Sequence, residues 1–313
     1  MNYTVSVRLM TFNQEEYIGN AIESILMQQT DFFVEVVIGD DFSTDRTLEI
    51  LKSYSSTDKI HIKILERGVG DSYWRKRQEL GRLYNFRNII ENCTGKYIAL
   101  LDGDDYWTDP LKLQKQVDLL EADSKLSICF HNVKVHNSFT ESIIDFLGTN
   151  FKGISELDEL FEGNNYIPTC SVVYRRNAIV LPPWFTRLPF GDYGLHIIAA
   201  RSGKIKYINE TMGVYRVHHT GAYSRLTNTN EGLAKAYQQH FKFWKILYER
   251  NVAEKKKMIR LLLKSLHKIV DYSFKSGQFS IALRYNVFFL RYGGMSHLRL
   301  FAGNLKKIIA AIL

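Results

Sequence analysis

Apolar positions along the chain alternate between two periods. Val5–Met10 is a short, partly β-branched run that ends at Thr11-Phe12-Asn13. Ile18, Ile22, Ile25 and Leu26 then follow the helical period. Asn13 with Glu16 predicts a helix cap with a reciprocal partner. The pattern repeats. Val34–Gly39 reads as a buried strand, Asp40–Asp45 as a polar turn, and Leu48 and Leu51 as the inner face of a helix. Ile60–Leu65 predicts a third strand. The polar stretch Glu66–Arg82 reads as a lid, a loop or part of a helix reaching Asn92. Lys96–Leu101 is a fourth strand, closed by Asp102-Gly103-Asp104-Asp105, and Asp109-Pro110 opens a helix lined by Leu113, Val117 and Leu120.

Strands alternating with helices of this length predict an α/β fold, a mostly parallel sheet with helices on both faces. After about residue 125 the rhythm loosens. Leu126–Phe130, Cys170–Tyr174, Ile205–Ile208 and Val214–Val217 read as strands, and Ser155–Glu162 and Asp192–Arg201 as helices. From about Thr229 the chain reads as entirely helical. One stripe carries Phe241, Trp244 and Leu247/Tyr248; another carries Ile259, Leu262, Leu263 and Leu266.

Charge changes this picture in one place. Residues 251–313 hold twelve Lys/Arg against Glu254 and Asp271, and the first 250 residues hold 29 basic against 31 acidic groups. The basic character therefore belongs to the tail, which lacks a nucleic-acid-binding motif. Two accounts of it stand: helices packed with solvated basic faces, or contact with an anionic membrane surface. Phe288-Phe289-Leu290 between Arg284 and Arg291, and the ending Lys306-Lys307-Ile308-Ile309, suit the second. Cys93, Cys129 and Cys170 form neither a metal spacing nor a disulfide framework, which suggests a reducing compartment. The sequence shows no signal peptide and no run long enough to span a membrane, so the expected location is the cytoplasm, peripheral to the membrane if the tail binds it.

Candidate chemistry follows from the fold class. In an open parallel sheet, ligands bind outside the carboxyl ends of the strands. Three such ends carry Thr11-Phe12-Asn13, Asp40-Asp41 and Asp102–Asp105, so one sheet edge gathers five aspartates. Crowded carboxylates repel one another, and a divalent cation relieves this. Mg²⁺ and Mn²⁺ prefer oxygen ligands and often combine one or two carboxylates with phosphate, which makes a diphosphate a natural ligand. Asp40-Asp41 and Asp45 are equally at home as turn and cap residues.

These residues resemble the family 2 glycosyltransferases of GT-A fold, a Rossmann-like mixed sheet flanked by helices. The closest likeness is to bacterial enzymes of surface-polysaccharide and lipopolysaccharide synthesis. Thr11–Asn13, Val36–Asp45 and Tyr97–Pro110 carry it. The resemblance implies a catalytic domain over 1–228, with a nucleotide-binding half (1–125) and an acceptor half (126–228), and a helical region over 229–313. It implies an inverting transfer from a nucleotide-diphosphate donor, a UDP-sugar, to a hydroxyl of a glycan or lipid-linked acceptor. Asp41 would bind the base, lined by Thr11, Phe12 and Asn13 and supported by Asp40. Asp102, with Gly103, would contact ribose. Asp104 would be the principal ligand of Mn²⁺ or Mg²⁺, although Asp104-Asp105 also aligns as the working pair. Asp192 after Gly191, where relatives carry Glu-Asp, would be the catalytic base; by its position it is equally a helix N-cap. Tyr215–Gly221 resembles a terminal Arg-His segment, with Arg216 near the diphosphate and His218 as a metal contact. Two other classes share parts of this chemistry: a nucleotidyltransferase, whose usual Gly-rich basic loop Leu9–Gln14 lacks, and a non-catalytic nucleotide- or glycan-binding protein.

Overall fold

The structure, a computed structural model, describes residues 1–148, 151–162, 165–219, 221 and 229–312. Thr220 of the Arg-His segment and the expected boundary at 228 lie outside the described residues. The chain divides into two units, one of residues 1–160 and 164–217, the other of residues 161–163 and 218–313.

The first unit is built on a ten-stranded mixed sheet. Its nucleotide-binding half has the strands β1 (Val5–Thr11), β2 (Val34–Asp40), β3 (Ile60–Ile64) and β4 (Tyr97–Asp102) in the order β3-β2-β1-β4, all parallel. β1 and β2 are nearly continuous apolar runs because both faces are covered by helices. The register aligns their carboxyl ends: Thr11 pairs with Asp40, and Met10 with Asp102. Helix α1 (Ile18–Leu26) buries Ile18, Ala21, Ile22 and Ile25 against this sheet. Each fully buried isoleucine contributes about 1.5–3 kcal/mol. The N-cap of α2 (Thr47–Ser53) is Arg46, which makes no side-chain cap; one residue earlier, Asp45 Oδ1 accepts from the Thr47 N–H at 3.0 Å. The polar stretch after β3 resolves into two helices, α3 (Ser72–Leu80) and α4 (Leu83–Asn92), separated by Gly81 at φ 80°.

Beyond β4 the sheet turns mixed. β5 (Tyr106–Trp107) is followed by α5 (Lys112–Ala122), β6 (Leu126–Asn137), β7 (Ser142–Asp145), β8 (Ile154–Ser155), β9 (Val173–Arg175), α6 (Gly191–Ala200) and β10 (Lys204–Val217). β9 lies antiparallel between β4 and β6, and β10 pairs with β6 in parallel and with β5 in antiparallel fashion. Several expected elements differ. The two strands read at Ile205–Ile208 and Val214–Val217 are one strand, β10, bulged between Ile208 and Val214 against β6. β6 runs to Asn137, well past Phe130. The helix expected over Ser155–Glu162 is a 3₁₀ turn, Leu157–Glu162, preceded by β8.

The second unit is helical: α7 (Asn230–Glu249), α8 (Lys255–Lys275), α9 (Phe279–Asn286), α10 (Phe288–Gly293) and α11 (Leu298–Ile312). α7 turns Phe241, Trp244 and Leu247 inward as the stripe predicts. On α8 the buried face is Met258, Leu261, Leu262, Leu266 and Ile269, with Ile259 and Leu263 at its flank. Phe289 is fully buried against His267, so Phe288–Leu290 belongs largely to this core. No helix among the described residues is long and apolar enough to cross a membrane.

Candidate active site

Three loops meet at the carboxyl edge of β1, β2 and β4, and side chains lace them together. Asn13 does not cap α1, whose first helical residue is Ile18 and whose N-terminus has no side-chain cap. Instead Asn13 takes φ 50° and reaches the loop after β2. Its N–H donates to Ser43 Oγ at 2.9 Å, and its Oδ1 accepts from the Thr44 N–H at 2.7 Å. The competing partner wins because the left-handed conformation, which asparagine tolerates, turns the side chain away from its own helix. Thr11 is buried, and its carbonyl accepts from the Asp41 N–H at 3.0 Å. Phe12 stands 54% exposed at the rim.

Asp40 and Asp41 play different parts. Asp40 is buried and holds the turn, accepting from both the N–H and the hydroxyl of Ser43. Asp41 faces a cluster from the polar stretch. Arg77 Nε donates to both of its oxygens at 2.9 Å, Arg77 Nη2 to Oδ2 at 2.7 Å, and the Tyr73 hydroxyl to Oδ1 at 3.1 Å. The guanidinium of Arg67 stacks 3.8 Å from the Tyr73 ring centroid and donates to the Asp40 carbonyl at 2.7 Å. Burial pushes the Tyr73 hydroxyl well above its usual range and the Arg67 guanidinium below its own. A carboxylate, two guanidinia and an aromatic ring thus form one cluster beside the end of β2. Tyr73 is packed between Arg67, Tyr84 and Phe42, and the cluster holds the Asp41 carboxylate at the rim of the loop.

The acidic loop is set by a glycine and an arginine. The Gly103 N–H donates to the Met10 carbonyl at 2.9 Å. A Cβ on Gly103 would lie 2.5 Å from Gln14 Oε1, 2.8 Å from Ile18 Cδ1 and 3.0 Å from Thr11 Oγ1, so only glycine lets this loop lie against the one after β1. Asp102 pairs with Arg8, a fully buried arginine on β1, at 2.8 Å. Arg8 has Nε and Nη1 without partners among the described residues and lies 4.5 Å from the Phe86 ring. Burial raises the Asp102 pKa; Arg8 opposes the rise, and Asp104 and Asp192 add to it.

Asp104 and Asp105 diverge. Asp104 is half-buried at the edge. Asp105 is 1% exposed, and its Oδ1 accepts from the Arg216 N–H at 2.8 Å. Burial, then the charge of Asp104, holds the Asp105 carboxyl well above the usual range. The Arg216 guanidinium sits 4.4 Å from the Tyr106 ring and 5.3 Å from the Tyr17 ring. It donates to the Asp104 carbonyl at 2.8 Å and to Asn20 Oδ1 at 2.9 Å. Arg216 therefore fastens the acidic loop to α1 and β10. His218 is buried and belongs to the helical unit.

Asp192 lies in the first turn of α6, whose N-cap is Phe190. Its side chain does not cap. Its Oδ2 accepts from Asn165 Nδ2 at 3.0 Å and from the Thr169 hydroxyl at 3.1 Å. The charges of Asp105, Asp104 and Asp192 all act on Tyr215, whose hydroxyl is raised chiefly by burial. Asp192 thus shares one electrostatic neighbourhood with the acidic loop, 87 positions along the chain from Asp105. Sequence reading missed Arg8, Arg67, Tyr73 and Arg77. Arg8 alone left a signal, a cation inside an apolar strand.

Residues 6–180 match the family described as glycosyl transferase family 2. An uncharacterised protein of Mycobacterium tuberculosis H37Rv is 35% identical over 245 residues, covering 77% of this chain. The chain spans 63% of that relative's length. The putative teichuronic acid biosynthesis glycosyltransferase TuaG of Bacillus subtilis is 34% identical over 117 residues, 37% of this chain and 41% of its own. Residues 1–349 of S. aureus TarS, solved in complex with UDP-GlcNAc, superpose with a TM-score of 0.63 at 19% identity, covering 99% of this chain and 89% of that one. The fold is therefore that of the GT-A transferases. The chain belongs to glycosyltransferase family 2.

Proposed function

We propose that this protein is an inverting glycosyltransferase. It moves a sugar from a nucleotide-diphosphate donor, a UDP-sugar, to a hydroxyl of a glycan or lipid-linked acceptor in cell-surface polysaccharide synthesis. The observation that carries the reading is the pairing of two sets on one sheet edge. Asp41, held in place by Tyr73 and Arg77 beside the exposed Phe12, suits hydrogen bonding to a nucleobase. Beside the acidic loop, Asp192 is free of helix capping and is oriented by Asn165 and Thr169. TuaG and the UDP-GlcNAc complex of TarS support the direction of this reading.

In the proposed reaction, Asp192 takes the proton of the acceptor hydroxyl as that oxygen attacks the anomeric carbon. The bond from that carbon to the phosphate oxygen breaks, and the nucleoside diphosphate leaves with the electron pair. No covalent intermediate on the protein is needed. Asn165 and Thr169 both donate to the same Asp192 oxygen, Oδ2, and so fix the carboxylate plane.

The acidic loop suits a divalent cation. Burial, with the charge of Asp104 adding to it, raises the carboxyls of Asp102 and Asp105, and a cation here would favour their ionised forms. Among the described residues no three His, Cys, Asp or Glu side chains form a ready ligand set. Asp104 with Asp102 would hold Mn²⁺ or Mg²⁺, with donor phosphates and water completing the shell, as these cations often require. The cation would stabilise charge on the departing diphosphate. Asp105, turned inward on the Arg216 N–H, supports the loop.

A thermal-shift panel of sugar nucleotides with and without Mn²⁺ tests the reading. Stabilisation by a UDP-sugar that needs the metal is expected. Silence toward every nucleotide would overturn it.

A further inference from the structure

The helical unit carries the positive charge of the chain, and its last helix is packed in an unusual way. α11 repeats apolar residues at Leu298, Ala302, Leu305 and Ile309, the spacing that lines one helix face. A helix on a soluble protein buries such a stripe. α11 docks by a neighbouring face instead. Asn304 Nδ2 donates to Asn286 Oδ1 at 3.1 Å, and the fully buried Asn286 donates through Nδ2 to the Phe301 carbonyl at 3.0 Å. Ile308, on that docking side, is 1% exposed. The polar pair thus fixes the rotation of the helix and leaves its apolar stripe partly outside, with Ala302 and Leu305 half-buried and its two ends exposed. Leu298 and Ile309 keep 41% and 48% of their surface, and Met295 just ahead keeps 78%. At 100° per residue, Arg299 and Lys306 flank this stripe on the side away from the docking face, and both are exposed.

We propose that α11 is an interfacial anchor that lies on an anionic phospholipid bilayer, with Leu298, Leu305 and Ile309 inserted below the headgroups and Arg299 and Lys306 among them. Charge selects this occupant. Residues 251–313 have twelve basic and two acidic side chains, so a second copy would bring two strongly cationic surfaces together, whereas an anionic bilayer complements them. Amphipathicity sets the mode. No helix among the described residues is long and apolar enough to cross a membrane, and an apolar stripe flanked by basic residues suits a helix lying in the interface plane. The anchor is thus α11; Phe289 in the other basic-flanked segment is fully buried.

Flotation of the full chain with vesicles tests this. Binding is expected to vesicles of phosphatidylcholine with about one third phosphatidylglycerol at low salt, and to be lost on pure phosphatidylcholine or in high salt. Arg299→Gln with Lys306→Gln should weaken it roughly thirtyfold, from about fivefold per basic residue. Leu298→Gln with Ile309→Gln should weaken it at least tenfold. In a separate variant, Ile309→Trp should be quenched by vesicles carrying brominated acyl chains, a readout that does not depend on the glutamine variants folding. No binding to the anionic vesicles, binding that ignores the stripe, or a dimer broken by Ile309→Gln in the absence of lipid would each overturn the proposal.

Discussion

Lys112, the first residue of α5, is fully buried, and its Nζ has no hydrogen-bond partner among the described residues. It lies over the Trp107 ring, 3.8 Å to the centroid. Burial lowers its pKa from 10.5 to about 7. At ~1.36 kcal/mol per pH unit, the charged form carries a penalty on the order of 5 kcal/mol. The unfolded chain keeps this proton to about pH 10.5 and the folded chain loses it near pH 7, so unfolding takes up a proton between those values and stability rises with pH. Lys112→Met keeps the apolar stem and removes the amine. The variant should be more stable than the parent at pH 7, and its advantage should shrink by about 2 kcal/mol by pH 9, from the slope just given. Urea denaturation of both proteins at pH 7, 8 and 9 reads this as a difference, in which the other titrating groups cancel. A difference that does not change with pH would refute the reasoning, as would a variant less stable throughout. Either result would mean that the amine is charged and paired in the folded protein.

Two further substitutions probe the acidic loop. Gly103→Ala places a Cβ 2.5 Å from Gln14 Oε1 and should cost about 1–3 kcal/mol and raise the donor KM. Adding Gln14→Ala should restore part of both, read by chemical denaturation and initial rates. Asp105→Asn removes a carboxyl whose pKa is raised by burial and then by Asp104. An acid raised in the folded state loses stability as pH rises from its unfolded pKa to its folded one, so at neutral pH the metal-free variant should melt higher, and with Mn²⁺ added it should turn over more slowly.

How much of this was written locally in the chain can be judged from particular residues. The β/α alternation was legible because strands covered on both faces are continuous apolar runs, as in Val34–Gly39, and the helices between them keep a clean stripe. The acidic loop was legible because three aspartates in four residues exceed what a turn uses. What local pattern does not carry is convergence across the chain. Arg8 meets Asp102 from 94 residues away, and Arg77 meets Asp41 from 36. Arg77 sits in a polar stretch that reads equally as a lid, a loop or part of a helix, and its partner Asp41 is set only by the fold. Asn13 misled for the opposite reason. Its cap signal is local and real, but hydrogen bonds to Ser43 and Thr44 outcompete it. The bulges that merge two short apolar runs into β10 are likewise set by pairing with β6.

In the proposed reaction, Asp192 takes the acceptor proton and does not build the donor site. Asp192→Asn keeps the hydrogen-bonding shape toward Asn165 and Thr169 while removing the base. Donor affinity and turnover of this variant, measured by calorimetry with a UDP-sugar and Mn²⁺ and by release of UDP in the presence of acceptor, test it directly. The account predicts a dissociation constant within about threefold of the parent and turnover lower by roughly 10²–10⁴. Turnover within a few-fold of the parent, or binding lost in step with turnover, would contradict it.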